Sequence, residues 1–146
     1  MRIAVQTAPF DLGDEAARFA SAQSHSGAVV TFTGVVRDVS GGLQAMEIEH
    51  YPGMTERALT DIAQQAMDRW SLEDALVIHR HGTLTVGEQI MMVATAARHR
   101  KDAFEAAEFL MDYLKSRAPF WKREVTGDGE AWVAARDEDE DALKRW

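Results

Sequence analysis

Cysteine is absent from this sequence. The absence excludes disulfides, a thiolate nucleophile, Cys-ligated zinc and a Cys-held iron–sulfur cluster, so any sulfur chemistry needs sulfur delivered from outside the chain. Positive charge is in deficit: 16 Lys and Arg stand against 24 Asp and Glu, a formal net charge of −8 and a pI near 5.0. That balance argues against a general binder of nucleic acid or anionic membranes, while leaving room for a local basic cluster. Long uncharged apolar runs are missing, and the opening MRIAVQTAPFDLGDEAARF has no basic segment followed by an apolar one. The expectation is therefore a soluble, cytoplasmic protein. No Gly-x-Ser-x-Gly, Walker or dinucleotide fingerprint occurs, and no internal repeat. What is present is an ordinary globular mix, 46% apolar and 27% charged over 146 residues, enough for one compact domain.

Residues 2–6 alternate like a short strand, and Asp11 to Gln23 reads as a polar amphipathic helix. Gly27 to Val36 is β-branched and strand-like, ending in the turn-forming stretch 38–42. Leu43 to Tyr51 alternates again, and the two runs are expected to form an antiparallel pair. A helix is predicted from Thr55 to about Trp70. Strands follow at about Ala75–His81 and Gln89–Ala97, joined by a turn at 85–88. A further helix is predicted from about Lys101 to Arg117, its apolar stripe being Phe104, Ala107, Leu110, Met111 and Leu114, with Pro119 as the stop. Phe120–Val125 and Glu130–Ala134 read as closing strands around Gly127-Asp128-Gly129. The expected fold class is α+β, a single domain with a mixed or antiparallel sheet and helices packed on it in a hammerhead-like arrangement. Residues 1–136 form that domain, and 137–146 are read as a solvated, charged tail.

Basic residues cluster at Arg98-His99-Arg100-Lys101 and at Lys115, Arg117, Lys122 and Arg123. The first group falls where a strand gives way to a helix, whose free N–H groups and positive dipole end suit an anion such as phosphate. Cations there oppose the dipole, so the sequence gives up stability at that point in favour of binding; the bland alternative is solvated side chains with Lys101 pairing to Glu105. Lys115 near a helix C-terminus is ordinary, and Asp112 lies three residues before it. Lys122, between Phe120-Trp121 and Arg123, is placed for a lowered pKa of the kind a lysine base or nucleophile needs. Arg37 follows a strand and precedes a Gly-rich connection, a common place for a ligand-gripping arginine. His79 and His81 share a strand face compatible with metal, but no third ligand is evident.

The stretches GAVVTFTGVVRD (27–38), EIEHYPGM (47–54), HRHGTLTVGE (79–88) and AARHRKDAFEAAEFLMDYLKSRAPFWKRE (96–124) resemble the MoaE family, the large catalytic subunit of molybdopterin synthase. The likeness runs through nearly the whole chain in order. It implies a sulfurtransferase of molybdenum cofactor biosynthesis that converts a cyclic pyranopterin monophosphate (precursor Z) into molybdopterin. Two sulfurs come from the thiocarboxylate at the C-terminal Gly-Gly of a small ubiquitin-like carrier. It also implies a homodimer carrying one carrier at each end, a heterotetramer. The resemblance implies catalytic roles for Lys115 and Lys122. It places Arg37, His99 and Arg100 in the pterin-phosphate pocket, His99 and Arg100 reaching it across the dimer interface, with Val35, Val36, Arg123 and Glu124 near it. No metal and no organic cofactor is expected for the transfer itself, and no nucleic-acid or membrane partner. The alternative is a non-catalytic regulatory or adaptor domain whose basic cluster binds a phosphorylated metabolite.

Overall fold

The structure, a computed structural model, describes residues 1–38, 41–134 and 136–146. Strands β1 (Arg2–Gln6), β2 (Ala28–Val35), β3 (Leu43–His50), β4 (Asp74–Arg80), β5 (Gly82–Leu84), β6 (Gln89–Ala97), β7 (Phe120–Thr126) and β8 (Gly129–Trp132) alternate with helices α1 (Leu12–Ser21), α2 (Met54–Trp70), α3 (Arg100–Arg117) and α4 (Asp137–Ala142). The α+β class holds, but the strands make two four-stranded sheets rather than one, in the orders β1-β4-β6-β2 and β5-β3-β7-β8.

The expected pairing of β2 with β3 is not formed. β2 lies antiparallel to β6, Ala28 opposite Ala97, while β3 lies between β5 and β7 in the second sheet. The reason is burial. From Ile90 to Ala97 β6 is buried on both faces, so it needs a partner along each edge, and the β-branched β2 satisfies one of them. After β2 the chain enters the second sheet at β3. The turn expected at 38–42 lies partly outside the described residues, but Gly41 and Gly42 both adopt positive φ, +80° and +81°, which glycine tolerates without strain. β5 is too short for periodicity to announce; it exists because β3 pairs with it, Met46 opposite Leu84.

Most of the core fills the space between the first sheet, α2, α3 and the second sheet. Leu59, Leu84 and Leu110 are fully buried there, and truncating such a leucine to alanine costs about 2–5 kcal/mol. A smaller cluster under α1, with Phe19, Leu76, Ile78 and Met92, covers the other face of the first sheet. α3 lies on β6 and β2 through Ala103, Ala106, Ala107, Leu110 and Leu114, and the Thr95 hydroxyl donates to the Ala103 carbonyl at 2.7 Å. Phe104, placed in the apolar stripe by spacing, is instead 61% exposed. The small alanines let the helix approach the sheet closely, which turns the bulkier Phe104 to the outside.

Residues 137–146, read from the sequence as a solvated charged tail, include no buried residue, yet they are not detached from the domain. α4 and the turn after it dock on α3: Arg117 reaches Glu140 at 2.5 Å, and Arg145 reaches Glu108 and Asp112, each at 2.6 Å. Trp146 packs edge-on against Trp70 and Phe109. Among the described residues no helix is long and apolar enough to cross a membrane.

Candidate active site

Lys115 is exposed on the last turn of α3, and Pro119 then ends the helix and redirects the chain into β7. Along β7, Phe120, Lys122 and Glu124 share one face. Their cross-strand partners on β3 are His50, Ile48 and Met46, of which Ile48 and Met46 are buried. Lys122 therefore projects from the core-facing side of the second sheet, toward the end of α3. Burial lowers its proton affinity first, the Lys115 ammonium lowers it further, and Asp139 of α4 opposes both. The depressed basicity expected from sequence is present, but the neighbouring cation is not the one expected. The second cation is Lys115, seven residues away in the chain, because Arg123 points to the opposite face of the strand.

Arg123 is already engaged. It pairs with Glu47 of β3, lies 3.3 Å from Glu130 and sits 5.2 Å above the Trp132 ring, tying β3, β7 and β8 together. Sequence separation hides that clamp, since Glu47 and Arg123 meet only through the β3–β7 register. The same competition frees Lys115. Asp112, its i−3 neighbour, accepts instead from Arg145 at 2.6 Å and from the Trp146 indole N–H at 2.7 Å. Among the described residues no carboxylate lies within ion-pair distance of Lys115, Lys122, Arg37, Arg98 or Arg100. In a chain of net charge −8, so many cations without partners imply an anionic ligand.

Arg37 is exposed and placed by the 85–88 turn. The Val36 N–H donates to the Glu88 carbonyl and the Gly87 N–H donates to the Val36 carbonyl, each at 2.9 Å. That turn is held by the buried Arg80, whose guanidinium donates to the carbonyls of Thr7 and Gln89 and to the Glu88 carboxylate at 3.0–3.3 Å. Val36 is buried beside Arg37, and Val35 is 49% exposed. β2 runs antiparallel to β6, and α3 returns along them, so Arg37 and Lys115 lie at the same end of the molecule.

His99 and Arg100 lie at the other end. His99 caps the N-terminus of α3 without a side-chain cap bond, and Arg98, His99, Arg100 and Lys101 are all exposed there, Lys101 being 3.8 Å from Glu105. Arg100 and Lys115 stand at opposite ends of α3, about 22 Å apart at 1.5 Å per residue, a gap that neither side chain spans. One chain thus brings together Lys115 and Lys122, with Glu124 beside Lys122 on its strand face and Arg37 at the same end. It does not bring His99 and Arg100 to them. A cavity of about 490 Å³ lies at the His99 end, lined by Arg69, Trp70, Ser71, Arg98, His99 and Asp102.

His79 and His81 do not act as a pair. His79 is 6% exposed, with its ring stacked on Phe120 at 3.7 Å, whereas the His81 ring lies 4.2 Å from that of His50. Among the described residues no group of three or more His, Asp or Glu side chains is arranged to hold a metal ion.

A family model described as MoaE protein matches residues 5–117. A molybdopterin synthase catalytic subunit from Cereibacter sphaeroides is 67% identical over 146 residues, covering 100% of both chains. One from Ralstonia nicotianae is 56% identical, covering 99% of this chain and 83% of its own length. The solved structure of a molybdopterin biosynthesis MoaE protein from Burkholderia ambifaria superposes with a TM-score of 0.85 at 53% identity, covering 99% of this chain and 96% of that one.

Proposed function

This chain belongs to the MoaE family of molybdopterin synthase catalytic subunits, enzymes of molybdenum cofactor biosynthesis, and from that premise we propose how its residues divide the work. The substrate is a cyclic pyranopterin monophosphate, and the sulfur donor is the C-terminal thiocarboxylate of a small ubiquitin-like carrier, met in the cytoplasm. Each transfer forms one C–S bond on the pterin side chain in place of a C–O bond, and hydrolysis of the acyl–sulfur bond leaves the carrier ending in a carboxylate whose new oxygen comes from water. Two transfers complete the dithiolene.

The observation that carries this reading is the convergence of Lys115 and Lys122. Lys115, exposed and without a carboxylate partner, meets the incoming thiocarboxylate and offsets the oxyanion that forms when its carbonyl carbon is attacked. Lys122, half-buried with its proton affinity lowered, gives up and takes back a proton more readily than a solvated lysine does. Arg37 grips the phosphate through charge-assisted bonds, Val35, Val36 and Glu124 shape the approach, and Arg123 holds β7 in place from its other face. The separation along α3 supports a reading in which His99 and Arg100 serve the site of a second copy, the working unit being a homodimer with composite sites and one carrier at each end.

Lys115→Ala and Lys122→Ala are expected to lower turnover with thiocarboxylated carrier and cyclic pterin by about 10²–10⁴-fold, the usual range for a lost acid–base group, without loss of fold. Full turnover in both variants refutes the assignment. Composite sites make a second prediction. Equal mixing of Lys115→Ala and Arg100→Ala subunits, each inactive alone, restores about a quarter of wild-type activity, because half of the random dimers carry one intact site. No recovery after verified subunit exchange refutes the composite site.

A further inference from the structure

His79, 6% exposed, is a deeply buried titratable side chain beside the lysine centre to which the reaction above gives no part. It is the penultimate residue of β4, and its Nδ1 lies 2.8 Å from the Arg80 carbonyl oxygen. A carbonyl only accepts, so Nδ1 carries the hydrogen and, in the neutral ring, Nε2 is bare. The ring lies nearly parallel to Phe120, 3.7 Å between centroids and 15° between planes. Phe120 precedes Lys122 by two residues on the same face of β7. The ring against Phe120 and the amine two residues on thus belong to one packed wall.

Resting on the lysine reading above, we propose that His79 is a positioning residue for Lys122: stacked on Phe120 and anchored to the Arg80 carbonyl, its neutral ring keeps water from the strand that carries the amine. The charged and titratable groups around the pair are few. Lys122 faces Lys115 from α3 and Asp139 from α4. His79 faces Lys122 from β7, His50 from β3 and His81 just beyond its own strand. Glu56 of α2 acts on the His81 side of the cluster. Burial outweighs the carbonyl bond and, with the positive neighbours, drops the His79 pKa to about 4, so the ring is uncharged throughout the neutral range. Its effect on Lys122 is therefore exclusion of water rather than charge. Removing the ring admits water, favours the ammonium and raises the pH at which Lys122 becomes a base.

The test has two arms. In the first, the Lys122 amine is titrated by NMR in the substrate-free protein, assigned with Lys122→Arg. His79→Ala is expected to move the titration up by about half to one pH unit, and His79→Phe, which keeps a dry stacked ring, to return it to the wild-type position. His79→Asn, which still donates to the Arg80 carbonyl, replaces the alanine variant should that one not fold. In the second arm, the acid limb of kcat/KM against pH moves by the same amount and in the same direction. Loss of stability with an unmoved titration, or a phenylalanine variant that does not restore it, overturns the proposal. If the titration shifts while Lys122→Ala keeps full turnover, the lysine reading falls and the positioning of Lys122 stands.

Discussion

Trp146 is the sharpest test of how the C-terminal segment is held. Its ring meets Trp70 at 5.5 Å and Phe109 at 5.7 Å, both edge-on, its indole N–H donates to Asp112 at 2.7 Å, and its carbonyl accepts from Arg69 at 3.0 Å. A partly buried indole removes on the order of 120 Å² of apolar surface from water, worth about 3 kcal/mol at ~25 cal/mol per Å² as an upper bound. Truncation also frees the last few residues, and the entropy they regain offsets part of the loss. Trp146→Ala is therefore expected to destabilise the chain by about 2 kcal/mol, seen as a fall of about 4–8 °C in Tm for a domain of this size. Trp146→Phe keeps the ring contacts but loses the donor to Asp112, and it falls between the two. Thermal and urea unfolding are compared at one protein concentration, because assembly shifts apparent stability. If both variants melt within about 1 °C of wild type, at the precision that scale implies, the segment is not docked as described.

Two further predictions concern the fold and its pH dependence. The folded His79 pKa of about 4 lies below the ordinary imidazole value of 6.5, so only the unfolded chain gains this proton as pH falls between the two. Stability should drop by about 3 kcal/mol across that window, read by urea unfolding against pH, and His79→Phe should abolish this component. Glu73 supplies a second, lower limb. Against the opposing effect of its own burial, hydrogen bonds from Ser24, Ser26 and His25 hold it to about 2, so its contribution disappears only as pH falls from 4.5 toward 2 and persists in His79→Phe. At the β2–β6 end, a Cβ on Gly27 would come within 2.6 Å of the Arg98 carbonyl oxygen. Gly27→Ala should therefore cost about 1–3 kcal/mol in unfolding experiments and, by displacing the backbone beside His99, weaken substrate binding more than it lowers kcat.

Local order determined much of this molecule. Alternation and helical spacing placed β1, α2, α3 and the β7–β8 hairpin within a few residues, because those signals arise from chain geometry and the burial of one face. The basic segment at 98–101 was legible as a helix N-terminus, since neighbours in the chain remain neighbours in the fold; Lys122 was legible as an amine of lowered basicity, although the cation that lowers it is Lys115 rather than the adjacent Arg123. The partnership of strands was not legible. β2 joined β6 because a strand buried on both faces recruits whatever edge is available, and nothing within β2 specifies that choice. Nor did spacing show that Arg145 and Trp146 would take Asp112 away from Lys115, or that Glu47 would occupy Arg123. Charges tens of residues apart compete for the same partners only after packing brings them within reach. Residue type and sequence neighbours therefore decided which cations are available, while tertiary structure alone decided which of them remain free and that His99 and Arg100 stand a helix length away from the lysines.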